Sequence, residues 1–314
     1  MKFFKALVAL VKPYIRWVIL TATLVFLGHA LAQHWQEAIA IPIRPRGWGI
    51  VAIATAVTLF SHIWSGWVWT LILQEFDCTV PKLWTVQVYL KTNIAKYLPG
   101  NVWHFYGRVR AMHAAKVPWA IAVLSVVIEP LLDIAAALLV AIGLGGLERP
   151  LLQLVGLAIV LLALHPAALN PGIHYLSKLK LKPASAEESS LEKAIVARYP
   201  LIPLLGEVIF FILRSLGFLL IVVALTPDPL QWQQFPLLMS SFSVAYFLGL
   251  VVPGAPGGIG VFEATLVALL ELHFSAGLLL KSVAIYRLVS IVAEVTGAGL
   301  ASIQLPDPLN KGLR

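Results

Sequence analysis

The run Val252-Pro253-Gly254-Ala255-Pro256-Gly257-Gly258-Ile259-Gly260-Val261-Phe262-Glu263 interrupts a strongly apolar part of the chain. Its two prolines remove backbone donors and its four glycines remove side-chain packing, so a continuous helix cannot pass through it. Irregular backbone at membrane depth is tolerated only where it is buried in protein or lines a wet cavity. We therefore expect a binding site here, formed by Pro253, Gly254, Gly257, Gly258, Gly260 and the carboxylate of Glu263. The alternative is that the small residues only allow close helix packing.

The composition predicts an all-α, polytopic integral membrane protein. Of its 314 residues, 60% are hydrophobic and 12% are charged, and the mean hydropathy is +0.88, which excludes a soluble oxidoreductase or nuclease. The net charge of +8 lies mostly between apolar runs, so it indicates membrane topology and lipid-headgroup contacts rather than nucleic acid. The single cysteine, Cys78, permits no internal disulfide, and the eight histidines show no metal-ligand spacing. No cofactor and no metal are predicted.

Hydropathy predicts about six full spans in a single membrane domain, 1–314. The first, Trp17 to about Ala32, follows a basic segment and resembles a signal peptide, although we favour an uncleaved signal-anchor because many spans follow. The basic excess of the loop at 170–199 places that loop in the cytoplasm. Six crossings then put both termini in the cytoplasm, for a multi-pass protein of the plasma (inner) membrane. The remaining five spans are expected at about 49–73, 119–144, 151–169, 201–225 and 275–305.

A second irregular region precedes the third span. Residues 83–98 are amphipathic and stop at Pro99-Gly100, and residues 101–116 follow with Arg108 among several charges. About sixteen residues on each side of the break is too few for a comfortable span, and the charges make spanning costlier. We predict a re-entrant or interfacial hairpin with its tip at Pro99 and Gly100. The alternative is an amphipathic helix lying on the membrane surface.

The two irregular regions predict an internal repeat. Pro99 and Pro253 are 154 residues apart (253 − 99), near half the chain, and each break leads into a charged span. If both breaks are re-entrant, they enter from opposite sides of the membrane, which gives possible inverted repeats at about 83–145 and 236–305. If the segment from 236 to 252 and its successor cross fully instead, the chain has eight spans and the same orientation.

Charged residues inside the predicted spans are further candidates for the site. Arg108 and Arg287 suit bidentate contact with a lipid phosphate, and Glu263 could balance a cationic headgroup or pair with one of these arginines. Glu129 and Asp133 belong either to the site or to a watery membrane edge. Two seven-residue spacings suggest either site residues or structural ion pairs within one helix, namely Glu207 with Arg214 and Arg287 with Glu294.

At these motifs the chain resembles the transmembrane region of lysylphosphatidylglycerol synthases, also called the flippase-like domain. The resemblance is carried by Lys-Tyr-Leu-Pro-Gly-Asn-Val-Trp at 96–103 with Arg108, and by the run at 252–263 with Tyr286-Arg287. It covers about residues 10–305. It implies a helical membrane fold with re-entrant segments and a role in moving or exposing a polar-headed lipid. It does not imply lysyl transfer, which belongs to a separate soluble domain in that family.

The resulting hypothesis is a flippase-like protein that binds and translocates a polar-headed lipid or a lipid-linked precursor. The expected partners are a membrane phospholipid or isoprenoid-linked lipid, with a homo-oligomer or a separate lipid-modifying enzyme as further possibilities. Two alternatives stay open: a membrane transferase or hydrolase acting on a polyprenyl-phosphate or phospholipid, and an assembly subunit that transports nothing. An enzyme would convert the purified lipid in detergent, whereas a flippase changes only the leaflet.

Overall fold

A computed structural model describes residues 36–98, 102–145, 150–171, 196, 198–227, 229–252 and 258–303. Over these ranges the chain is helical and contains no strand, in agreement with the predicted all-α class. The first predicted span and the C-terminal residues 304–314 lie outside the described residues, as does most of the predicted loop at 170–199. The principal helices are α1 (Pro45–Gln74), α2 (Lys82–Asn93), α3 (Trp103–Ala114), α4 (Trp119–Gly145), α5 (Pro150–Ala163), α6 (Leu201–Leu225), α7 (Gln234–Val251), α8 (Val261–Leu270) and α9 (Ala276–Ser302).

Five of these helices, α1, α4, α6, α7 and α9, are long and apolar enough to cross a membrane. Large apolar side chains stay exposed on their outer faces, for example Leu205, Ile209 and Ile212 along one side of α6. Such a stripe has no cost when its solvent is hydrocarbon, whereas in water it would be a liability. The described part of the chain therefore has the form of a multi-pass helical membrane protein.

The predicted span at 151–169 is shorter than expected. Helix α5 ends at Ala163, and a separate short helical segment follows at 166–171. Pro166 accounts for the break, because the ring of a proline disfavours helical backbone at the residue before it and crowds the preceding turn. Fourteen residues span about 21 Å as a helix, which is less than the roughly 30 Å of a hydrocarbon core.

Close helix crossings fix the centre of the bundle. A Cβ at Gly206 of α6 would lie 2.7 Å from a methyl carbon of Val68 in α1, so only glycine fits there. At the same crossing, the indole N–H of Trp64 donates to the Gly206 carbonyl over 2.8 Å. On its other side, α1 contacts α2 at Gly66, where a Cβ would lie 3.3 Å from Val86 and Tyr89. Helix α2 is thereby held against the long helices.

Helices α2 and α3 are two short arms on either side of the first break. Each has 12 residues, about 18 Å of helix, and neither can cross a membrane alone. A 3₁₀ turn at Ile94–Tyr97 ends the first arm, and Pro99 and Gly100 lie just beyond it, outside the described residues. The arms pack on α1, α4 and α9. The described residues therefore form two short helices on either side of the predicted break.

The second break separates α7 from α8. Pro253, Gly254 and Gly257 lie outside the described residues, but the end of the break is described: Gly258 has φ +70° and Gly260 has φ +87°. A Cβ at Gly258 would lie 3.2 Å from the Cα of Gly249, so the returning chain touches α7. Positive φ and this close approach both explain why glycine occupies position 258.

Candidate functional site

A cavity of about 300 Å³ lies between the two broken regions and the long helices. It brings together seven of the predicted site residues: Arg108, Glu129, Asp133, Arg214, Gly258, Arg287 and Glu294. Three more candidates lie next to residues that line the cavity. Glu263 contacts Arg287 and accepts from Gly260, and Glu207 neighbours Asp133. The remaining candidates, Pro99, Gly100, Pro253, Gly254 and Gly257, lie outside the described residues.

The first ion pair of the cavity joins α3 to α4. Arg108 donates from Nη1 to Oε2 of Glu129 over 2.5 Å, and both side chains are buried. Tyr89 of α2 donates its hydroxyl to the other Glu129 oxygen over 3.0 Å, and its ring lies 3.7 Å below the guanidinium. Because the carboxylate, the guanidinium and the aromatic ring satisfy one another, this charge pair is tolerated away from water.

A second ion pair joins α8 to α9. Arg287 donates from Nε to Oε1 of Glu263 over 2.5 Å, and Oε2 of Glu263 accepts the backbone N–H of Gly260, also over 2.5 Å. Glu263 is the third residue of α8, where a carboxylate stabilises the unpaired N–H groups and the positive end of the helix dipole. The expectation that Glu263 pairs with an arginine is confirmed.

A third cluster surrounds Glu294 of α9. Lys96, in the 3₁₀ turn after α2, lies 2.7 Å from Oε1 of Glu294, and Nε2 of His62 in α1 lies 3.2 Å from the same oxygen. Nη1 of Arg214, in α6, lies 3.3 Å from that Nε2 atom. The ring nitrogen therefore stands between a cation and an anion, and its tautomer decides whether it accepts from Arg214 or donates to Glu294.

Arg214 differs from the other cavity arginines. Its Nη1 lies 3.3 Å from Nε2 of His62 and donates to the hydroxyl of Ser290 over 3.5 Å. The central carbon of its guanidinium lies 5.2 Å from the ring centroid of Tyr286. No carboxylate within 4.0 Å is recorded for Arg214 among the described residues, whereas Arg108 and Arg287 each have one. Its Nε, like that of Arg108, is buried without a hydrogen-bond partner. A buried guanidinium with spare donors is suited to binding an anion.

Two interpretations of the charged residues are corrected by this geometry. Glu207 and Arg214 form no ion pair, since both Glu207 oxygens lack a hydrogen-bond partner within the described ranges. Arg287 and Glu294 do not pair either, because each contacts a residue from another part of the chain. Glu129 and Asp133 lie in the middle of α4 and line the cavity, which favours the site over a watery membrane edge. Pro130, between them, interrupts the hydrogen-bond ladder of α4 beside the cavity.

Sequence reasoning missed several residues of the site. Lys96 belongs to the first motif, but the sequence predicts no contact for it, and it predicts no role for His62. Tyr89 and Tyr286 were not singled out as site residues, although both line the cavity. A histidine inside an apolar span, and a lysine directly before a Pro-Gly break, were the available signals.

A larger cavity of about 520 Å³ adjoins the charged one and is mostly apolar. Along α4, Ile134 lines the charged cavity, and Leu138, one turn further, lines the apolar one. Along α7, Gly249 lines the charged cavity, and its neighbour Leu248 lines the apolar one. Polar and apolar spaces therefore meet between α4 and α7.

Two comparisons with known proteins gave no match. No protein-family model matches the chain, and no curated protein matches it significantly. Within the described residues, no three His, Cys, Asp or Glu side chains are grouped in a way that could hold a metal ion. What is shown is a helical membrane protein with a charged cavity between two broken helices.

Proposed function

We propose that this protein binds a polar-headed lipid or lipid-linked precursor in the charged cavity and translocates its headgroup across the membrane. The observation that carries the proposal is Arg214, a buried guanidinium in the middle of α6 that lines the cavity and has no carboxylate partner among the described residues. A charge at this depth costs several kcal/mol or more unless a partner compensates it, so it marks a place where an anion is bound. The resemblance to the flippase-like domain supports the same function.

The depth of the first hairpin supports a re-entrant arrangement over a helix lying on the surface. Lys96, in the 3₁₀ turn after α2, contacts Glu294, which in turn contacts His62 near the middle of α1. Arg214, beside His62, is near the middle of α6. A helix lying among the headgroups would have its end near the ends of the long helices instead. We therefore propose that the 3₁₀ turn that ends the first arm lies well inside the bilayer.

The two ion pairs support an internal repeat, which we propose is inverted. In the first half, a short helix after a break provides Arg108, and the following 27-residue helix provides Glu129, 21 positions later. In the second half, a short helix after a break provides Glu263, and the following 27-residue helix provides Arg287, 24 positions later. The order of elements is the same and the charges are exchanged. Such pairs of broken helices typically form binding sites at the middle of a membrane.

The neighbouring cavities match the chemistry of an amphipathic ligand. A phosphate or other anionic headgroup next to Arg214 would keep charge-assisted hydrogen bonds while it is away from water. Its hydrocarbon chain would lie in the apolar cavity between α4 and α7, whose lining gains from burying it. We propose the plasma (inner) membrane as the location, with both termini in the cytoplasm. A homo-oligomer and a separate lipid-modifying enzyme are further proposed partners.

The test has two parts. Native mass spectrometry of gently solubilised protein should first show a bound phospholipid or isoprenoid-linked lipid. That lipid, carrying a fluorophore, is then followed in vesicles containing the full chain, with loss of outer-leaflet fluorescence to a membrane-impermeant quencher as the readout. Arg214→Gln should reduce translocation about tenfold, the equivalent of one charge-assisted hydrogen bond of about 1.4 kcal/mol. Arg110→Gln, at an exposed arginine of α3, is the matched control.

Two results would count against translocation. If Arg214→Gln translocates as fast as the wild type, the cavity is not the route for the headgroup. If the purified protein chemically converts the bound lipid in detergent, the enzyme alternative replaces the flippase.

A further inference from the structure

Glu207 is the most enclosed carboxyl group beside the cavity. It lies in α6, has no exposed surface, and has no hydrogen-bond partner for either oxygen within the part of the chain that the structure describes. Its polar neighbour is the carboxyl of Asp133 on α4, one oxygen of which is also buried without a partner. Asp133 lines the charged cavity. The two carboxyls thus connect the buried position of Glu207 to the charged cavity.

Two ionised carboxylates cannot hydrogen-bond to each other, because both only accept. A single proton on one of them supplies the missing donor and removes the repulsion between two like charges in a site with little water. Each of the nearby cations forms an ion pair with another carboxylate: Arg108 with Glu129, and Lys96 with Glu294. The titratable and charged groups that face the pair are Tyr89 from α2, Lys96 from the 3₁₀ turn, Arg108 from α3, Glu129 from α4 and Tyr246 from α7.

We propose that Glu207 and Asp133 form a proton-binding site, in which Glu207 holds a proton at neutral pH and Asp133 exchanges it with the cavity. In the loading step, a hydronium ion in the cavity gives its proton to Asp133, which passes it to the Glu207 carboxylate, leaving one water and one carboxylic acid. Release is the reverse, and no electrons are transferred. Of the two carboxyls, only that of Asp133 lines the cavity. We therefore call Asp133 the gateway, the residue that exchanges protons with the cavity, and Glu207 the residue that keeps the proton.

The consequence is that headgroup translocation is coupled to a proton, an inference that rests on the proposed function. Asp133 shares the cavity with Arg214, so a headgroup anion and a proton occupy one space. Binding an anion favours a proton nearby, because each reduces the charge cost of the other in a medium of low dielectric. A proton gradient would then bias the direction in which the headgroup moves.

The first experiment needs no transport. Infrared spectra of the full-length protein in lipid nanodiscs should show the C=O stretch of a buried carboxylic acid at neutral pH. Glu207→Gln should remove this band, while Asp133→Asn should keep it and slow its shift in heavy water at least tenfold, because the gateway is lost. Glu271→Gln, at an exposed carboxylate after α8, is the matched control and should change neither. A wild type without the band, or a band that survives Glu207→Gln, overturns the site. Exchange in Asp133→Asn at the wild-type rate overturns the gateway role.

The second experiment tests the coupling in vesicles with an imposed pH gradient. The wild type should move the fluorescent lipid at least several-fold faster in one direction of the gradient than in the other, and Glu207→Gln should lose this asymmetry. Lipid movement that ignores the gradient in the wild type refutes coupling and leaves translocation standing. An infrared band without any lipid movement leaves the proton site standing and refutes the proposed function. The two failures are therefore distinguishable.

Discussion

Removing Arg108 alone should destabilise the protein strongly, because it leaves Glu129 buried without its counter-charge. Arg108 is 1% exposed and Glu129 is 4% exposed, so water cannot replace the lost contact. Breaking a buried ion pair from one side typically costs about 3–5 kcal/mol, and the cation–π contact with Tyr89 is lost as well. Tyr89 continues to donate to Glu129, which recovers part of this cost. We expect Arg108→Met to lower the free energy of unfolding by about 3 kcal/mol.

The double variant Arg108→Met with Glu129→Gln tests whether the destabilisation by Arg108→Met comes from the unpaired Glu129 charge or only from lost packing. Glutamine still accepts from Tyr89 and carries no charge, so the double variant should be more stable than either single variant, within about 1 kcal/mol of the wild type. The measurement is equilibrium unfolding in mixed micelles followed by circular dichroism. Arg110→Met, two positions away and exposed, should stay within about 0.5 kcal/mol of the wild type. The reasoning is refuted if Arg108→Met is as stable as Arg110→Met, or if the double variant loses the sum of the two single effects.

Three further predictions concern the second break. Glu263→Gln keeps an acceptor for the Gly260 N–H but loses the charge facing Arg287. Translocation should therefore fall, while the amount of folded protein in size-exclusion chromatography stays unchanged. Translocation at the wild-type rate would remove Glu263 from the site. In the same pair, Arg287→Ala should weaken anionic-lipid binding about tenfold in native mass spectrometry, and unchanged affinity would assign Arg287 a structural role. Gly258→Ala should lower the free energy of unfolding by about 1–2 kcal/mol because of its positive φ, whereas Gly143→Ala, in open space within α4, should be neutral or stabilising. Equal effects of the two alanines would argue against strain at Gly258.

The class of protein and the position of the two breaks could be predicted from the sequence, because both depend on local chemistry. Hydrocarbon requires long apolar helices, and proline with glycine interrupts a helix wherever they are clustered. The same reasoning explains why most of the described charged candidates line one cavity: a charge among apolar residues has few places to lie other than a polar space. The helix predicted over 151–169 is interrupted after Ala163, because the prediction counted hydropathy and left out the effect of Pro166 on the helix.

Apart from the pairing of Glu263 with an arginine, the partners of the buried charges could not be predicted, for a geometrical reason. Residues seven apart lie on one face of a helix, but they are separated by about 10.5 Å along its axis, since each residue rises 1.5 Å. Glu207 and Arg214, or Arg287 and Glu294, therefore share a face without touching. Neighbouring helices pack with axes about 8–10 Å apart, and a side chain reaching across that gap meets its partner directly. Each recorded ion pair of the described residues crosses from one element to another, so pairing is decided by which helices are neighbours, information that no spacing within one helix contains.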